Sequence, residues 1–334
     1  MKKSFSLLSV FVIVALLVCA ISLSGCIGEN DNKSVKNIAF GYQPSTHQMA
    51  YMTADAKGWW LEGLKAHGVE TVSDNSFGSG PNEMSSLAAD AIQVAYVGSA
   101  PVITSIASGT DVKIVAAVQS DGSSLLVSNN FTYNSPQDLK GKSIGTFPPG
   151  SIQDTLIRDW LKSNNLDPTK DVSLKPMNQG DAITALKSNS VEAVFLPHPA
   201  PVVIEKGGFG RTVLTSGQIQ NNHPCCVVAV SQKLIDEHPE IVKEIVRIHI
   251  KATDYVNNNK EEAAKDYAKK TGDELSVVLA SINDWDGMWL SDPHVIKDGV
   301  VEFSTSQYNN GMIQRKLTED EIFDFTFYDE IMKE

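Results

Sequence analysis

Cysteine is scarce in this chain: two of its four stand near the N-terminus, at Cys19 and Cys26, and the others are the neighbours Cys225 and Cys226. Adjacent cysteines close only a small strained ring, so a disulfide-stapled scaffold is excluded. Arginine occurs only at Arg158, Arg211, Arg247 and Arg315, and Arg158 falls in an expected helix, which disfavours a guanidinium clamp on a carboxylate or phosphate. Basic patches are absent and the net charge is −12, so no nucleic-acid partner is expected. There is no Gly-x-Ser-x-Gly elbow, no phosphate loop and no His-Glu-x-x-His helix. The chain is therefore not expected to be an enzyme, and no cofactor is expected. Long apolar runs are missing too, except Leu7 to Ile21, which falls short of the roughly twenty residues that cross a bilayer.

What is present begins with that run. Lys2 and Lys3 precede it, and the small residues Ser22-Leu23-Ser24-Gly25-Cys26 close it, the order of a secretory signal. Leu23-Ser24-Gly25-Cys26 resembles the lipobox of lipoproteins, which implies cleavage before Cys26 and a diacylglyceryl group on its thiol. Two acyl chains hold a protein stably at a bilayer. Residues 1–25 are thus expected to be a signal peptide and 26–35 a lipid-anchored tether, with the protein on the outer face of the cell membrane. Asn130-Phe131-Thr132 is a glycosylation sequon, a short pattern.

From Asn37 onward, short apolar runs ending in Gly or Pro alternate with stretches of helical period, the pattern of an α/β fold with largely parallel sheets. Strands are predicted over 37–42, 69–73, 92–97, 112–118, 143–146, 172–174, 193–196 and 227–231. Helices are predicted from Met49, Met84, Val102, Ile152, Asp181, Gln232, Pro239 and Lys260. Leu125 to Ser128 reads as a segment crossing to a second unit. The length suits two lobes, expected at 36–124 with 225–334 and at 125–224. Trp285, Trp289 and Tyr308 are expected to cover the first lobe as packing groups.

Several of these segments resemble one family. Ile38-Ala39-Phe40-Gly41-Tyr42 resembles its first strand, Ala56-Lys57-Gly58-Trp59-Trp60 its "AxxKGWFE" helix end, and Val94 to Pro101 its "DxxxxGxxP" segment. Asp138-Leu139-Lys140-Gly141-Lys142-Ser143-Ile144-Gly145 is similar to the "DLKGKKIG" stretch that opens its second lobe. The family is the nitrate, sulfonate and taurine class of ABC-transporter solute-binding proteins. The resemblance implies a type II periplasmic-binding-protein fold, with two α/β lobes, a hinge and an interlobe ligand cleft. It also implies a small polar or anionic solute as ligand, and an ABC permease with its cytoplasmic ATPase as partners. A monomer is expected.

In open α/β sheets ligands sit beyond the carboxyl ends of strands, at helix N-termini. That rule selects Gln43, Ser45, Thr46 and His47, then Gly78 and Ser79, Gly98 and Ser99, and Gln119 and Ser123 from the first lobe. From the second it selects Ser151, Gln153 and His198. Hydroxyls and glycines at helix starts are also ordinary caps; their convergence is what points to a site for a small oxyanion or polar solute. Asn221-Asn222-His223-Pro224-Cys225-Cys226 falls on the return crossing, which adds His223 and Cys225. No metal site is expected. The alternative is a set of His47, His198, His223 and Cys225, since imidazole and thiolate ligate zinc, copper, nickel and iron. Neighbouring residues of a strand point to opposite faces, so one thiol at most is expected in the cleft. The cysteine pair also resembles the longer CCCFC cluster of thiamine-pyrimidine precursor synthases and binders. The alternatives in function are therefore a binder of such a precursor or of a metal-bound solute, or a cofactor-precursor synthase-like enzyme.

Overall fold

The structure is a computed structural model that describes residues 35–334. The expected signal peptide, Cys26 and all of the tether except Val35 lie outside the described residues.

Eleven strands are present among the described residues: β1 (Asn37–Tyr42), β2 (Thr71–Ser76), β3 (Val94–Gly98), β4 (Val112–Ser120), β5 (Ser123–Ser128), β6 (Ser143–Thr146), β7 (Ser173–Pro176), β8 (Ala193–Pro197), β9 (Gly210–Thr215), β10 (Pro224–Ser231) and β11 (Met288–Trp289). They form a six-stranded sheet in the order β11-β4-β10-β3-β1-β2 and a five-stranded sheet in the order β7-β6-β8-β5-β9. The chain passes between the sheets twice, at Asp121-Gly122 after β4 and between β9 and β10.

The sheets are mixed rather than largely parallel. β1 runs parallel to β2 and β3, and β6 to β7 and β8, whereas β10 is antiparallel to β3 and β4, and β5 to β8 and β9. The cause is topological. β4 and β9 end at the crossings, while β5 and β10 start there, so each strand that follows a crossing enters its sheet against the direction of its neighbours. β5 begins at Ser123, two residues before the predicted crossing segment. The helix Ala200–Lys206 and the strand β9 were not predicted.

β1 is buried from Ile38 onward, and the helix Met49–Ala56 lies against it with Met49, Ala50, Tyr51 and Met52 fully buried. Phe40, Tyr51, Trp60 and Tyr96 interlock there, with ring centroids 4.9 Å apart for Phe40 and Trp60 and 5.0 Å for Tyr51 and Tyr96. This aromatic block fixes the loop that carries His47. The helix Pro239–Asn258 starts on proline, which suits the first helical position because no amide is lost there. It buries Ile241, Ile245, Val246, His249, Ala252 and Val256, one face at helical spacing, against the helix Met49–Ala56. Trp289 is buried and its Nε1 donates to Thr46 O at 2.9 Å. Tyr308 does not cover the core; it is 45% exposed. No helix among the described residues is long and apolar enough to cross a membrane.

Candidate functional site

A small cavity of about 20 Å³ lies where the two sheets meet, lined by Gln43, Ser45, His47, Gln48, Gly80, Gly98, Pro101, Phe147, Ser151, Ile152, Gln153, Pro197, Cys225 and Cys226. That volume holds about one water-sized particle. Beside it is a cavity of about 160 Å³, whose walls share Gln43, Ser45, Phe147 and Pro197 with the first and add Phe77, Gly78 and Asn178. No lysine or arginine lines either one.

Three helices start at the inner cavity, Gly80–Ala88 and Ser99–Ala107 from the first sheet's side and Ile152–Ser163 from the second's. Their unpaired N–H groups give the cavity a positive bias. Ser151 caps the third, accepting from Asp154 N at 3.2 Å. Gln153, in its first turn, donates to Ser123 Oγ at 3.0 Å.

The floor of the cavity is a histidine and two thiols. His47 Nε2 lies 2.7 Å from Gly122 O. A carbonyl only accepts, so Nε2 carries the proton and Nδ1 faces the sulfurs, 3.3 Å from Cys225 Sγ and 3.9 Å from Cys226 Sγ. The sulfurs are 3.7 Å apart. All three residues are buried, and their donor atoms lie within 4.8 Å of one another. The expectation that only one thiol could face the cleft is corrected here. The register of β10 against β4 shifts on both sides of Cys226. A bulge places two residues opposite one and breaks the alternation of faces, which lets both sulfurs reach the same side. The thiols are inequivalent: burial pushes Cys225 well up, while the hydrogen bond from Cys225, and then His47, draw Cys226 down to about 6.

Behind Gln43 lies Glu83, fully buried, its Oε2 accepting from Gln43 Nε2 at 2.9 Å and its Oε1 without a partner. Burial holds this carboxyl well above its usual range, which favours the neutral form. It is one of the residues that the sequence reading missed, with Gln48, Gly80, Phe147 and Cys226. A lone acid one turn into the helix opened by Gly78-Ser79-Gly80 was the available signal.

Of the predicted residues, Gln43, Ser45, His47, Gly98, Ser151, Gln153 and Cys225 line the inner cavity, and Gly78 lines the neighbouring one. Thr46, Ser79, Ser99, Gln119, Ser123, His198 and His223 line neither. Ser99 Oγ donates to Pro224 O at 3.0 Å, and Gln119 Nε2 donates to Asp121 O at 2.9 Å. His198 Nδ1 bonds Ser281 Oγ at 2.9 Å with Trp285 alongside, and burial lowers it to about 3. His223 is enclosed with Asp121, 3.6 Å away, and Phe303, and burial lowers it likewise to about 3. The alternative four-residue metal set is thus not assembled: only His47 and Cys225 of it meet, and Cys226 joins them.

A model of the NMT1-like family matches residues 31–271. A protein of Bacillus subtilis (strain 168) named for binding aliphatic sulfonates is 27% identical over 347 residues, covering 100% of this chain and 98% of that one. Among solved structures, the alkanesulfonate-binding protein SsuA from Xanthomonas axonopodis pv. citri, bound to MOPS, superposes with a TM-score of 0.76 at 16% identity, over 86% of this chain and 98% of that one. The periplasmic nitrate-binding protein NrtA from Synechocystis PCC 6803 also gives 0.76, at 20% identity, over 90% and 89%. At such identities the structures carry the fold, that of periplasmic binding proteins. These relatives are binding proteins, not enzymes.

Proposed function

The chain belongs to the NMT1-like family, and from that membership and the cavity we propose that it is the extracytoplasmic solute-binding component of an ABC importer of the nitrate, sulfonate and taurine class. The observation that carries this is the meeting of three helix N-termini from both sheets at one cavity that no lysine or arginine lines. Such an arrangement binds a small anion or polar head through backbone N–H groups, hydroxyls and amides. The adjoining cavity, walled by Phe77, Phe147, Pro44 and Pro197, takes the remainder of the solute. The named relatives bind sulfonates and nitrate, which supports this solute class. Residues 36–124 with 225–334 act as one lobe and 125–224 as the other, and closure about the crossings presents a surface to a permease and its ATPase. The protein acts as a monomer, held outside the membrane by lipid on Cys26.

The test is a thermal-shift screen of the purified protein with alkanesulfonates, nitrate and pyrimidines. At least one anion is expected to raise Tm in a concentration-dependent way; a flat screen undercuts the transport role. Cys26→Ser is expected to release the protein from membranes or leave it uncut, and undisturbed anchoring removes the lipid assignment.

A further inference from the structure

The solute-binding role accounts for the helix N-termini but not for the floor beneath them. His47, Cys225 and Cys226 come from two distant parts of the chain, and a bulge in β10 is needed to bring both sulfurs to one side. A tetrahedral ion with metal–sulfur bonds of about 2.3 Å and metal–nitrogen bonds of about 2.0 Å holds its donors roughly 3.5–3.8 Å apart. The separations here are 3.7, 3.3 and 3.9 Å. The outer nitrogen of His47 is already engaged by Gly122 O, the second contact that orients metal-binding imidazoles and leaves the inner nitrogen's lone pair free. Two sulfurs and an imidazole are a soft set, suited to zinc, copper, cobalt or nickel and unsuited to calcium or magnesium. The cavity above the three donors has room for about one more small particle, and Gly98, Ser151 and Gln153 wall it.

We propose that His47, Cys225 and Cys226 form a three-donor site for a soft divalent cation whose fourth position opens into the cavity, so that the carried solute is that cation or a small anion bound through it. Each thiol releases its proton to solvent as it ligates. Two thiolates balance the ion's charge, and an anion in the fourth position then meets the helix N-termini, which favour it. The proposal rests on the solute-binding reading in that it uses the same cavity.

The test is a titration of the purified, reduced full chain with cobalt(II) under anaerobic conditions, followed by absorbance, with zinc(II) as competitor. One cobalt per chain is expected, with thiolate-to-cobalt charge-transfer bands in the near ultraviolet and the intense visible bands of tetrahedral cobalt. Cys225→Ser, Cys226→Ser and His47→Gln should each weaken binding by roughly 100-fold, while His294→Gln, outside the cluster, leaves it unchanged. Should a variant fail to fold, the charge-transfer intensity of the unaltered protein still counts the thiolates on the ion. Binding without thiolate bands, or binding that survives both serine variants, overturns the site. Added thiocyanate should move the visible bands; bands that stay fixed remove the anion from the proposal. No cobalt or zinc binding beside a positive anion screen refutes the metal site and leaves the solute-binding role standing. Silence in both experiments removes both.

Discussion

Glu83 is a carboxyl that the fold prefers neutral, and its pH behaviour follows from that. Its folded pKa is raised above the unfolded value. The unfolded chain therefore sheds a proton that the folded chain keeps, and stability falls as pH rises from about 4.5 towards the raised value, by up to about 1.4 kcal/mol per pH unit. Glutamine keeps an oxygen for the Gln43 donor and cannot ionise. Glu83→Gln is thus expected to match the parent protein in Tm near pH 5 and to exceed it by a margin that widens to pH 8, as read by calorimetry at several pH values. A constant margin would mean that Glu83 is charged in the fold. The sequence showed this residue only as one acid in a helix. What makes it special is the closure of Gly41 and Gln43 over it, with a Cβ built on Gly41 falling 2.9 Å from Oε1, a contact between segments that no local pattern encodes.

At the scale of elements, the turn between β4 and β5 decides where His47 points. Gly122 has φ +79, where L side chains are strained, and a Cβ there would fall 2.6 Å from Gln119 Nε2, 2.8 Å from His47 Nε2 and 3.0 Å from Trp285. Gly109 has φ +95 with open space around it. Gly109→Ala therefore reports only the backbone cost of a left-handed residue, roughly 1–2 kcal/mol. Gly122→Ala adds the displacement of His47 and is expected to lower stability further in urea unfolding; equal losses would mean that the turn tolerates the methyl. This contrast also shows what sequence could reveal. The strands β1 and β6 were legible residue for residue, because apolar runs bounded by polar or glycine residues need no tertiary information. The cavity-lining loops were legible because strand ends and helix starts alternate regularly along the chain. The convergence of Cys225 and Cys226 was not, since strict alternation along a strand forbids it and the bulge that permits it comes from pairing with β4. Trp285 was expected to serve only as packing, yet its ring stands 5.6 Å from that of His47, placed there by the loop ahead of β11.

At the scale of the whole molecule, a single carboxylate spans both crossings. Asp286 accepts from Gly122 N at 2.9 Å through Oδ1 and from Gly217 N at 2.8 Å through Oδ2, so it ties the exit from the first sheet to the return from the second. Asp121 stands close by, accepting from His223 N at 3.0 Å and Asn222 N at 3.2 Å. Burial, and then the charge of Asp286, raise Asp121 to about 6. Below pH 6 Asp121 is neutral and Asp286 holds the crossings without opposition. Above it Asp121 carries a charge that faces Asp286, and their repulsion offsets part of the clamp; the stability tied to neutral Asp121 is present at low pH and lost as pH rises through 6. Hydrogen bonds to a charged group contribute about 1.5–3 kcal/mol each. Asp286→Ala is therefore expected to lower Tm more at pH 5 than at pH 7.5. If the two sheets move as lobes, the same variant should enlarge the radius of gyration of the unliganded protein in solution scattering, with ligand restoring the compact value. A radius that stays unchanged in the variant, with or without ligand, would show that the sheets are held together by their shared core and not by this clamp, and that closure about the crossings is not how the cavity fills.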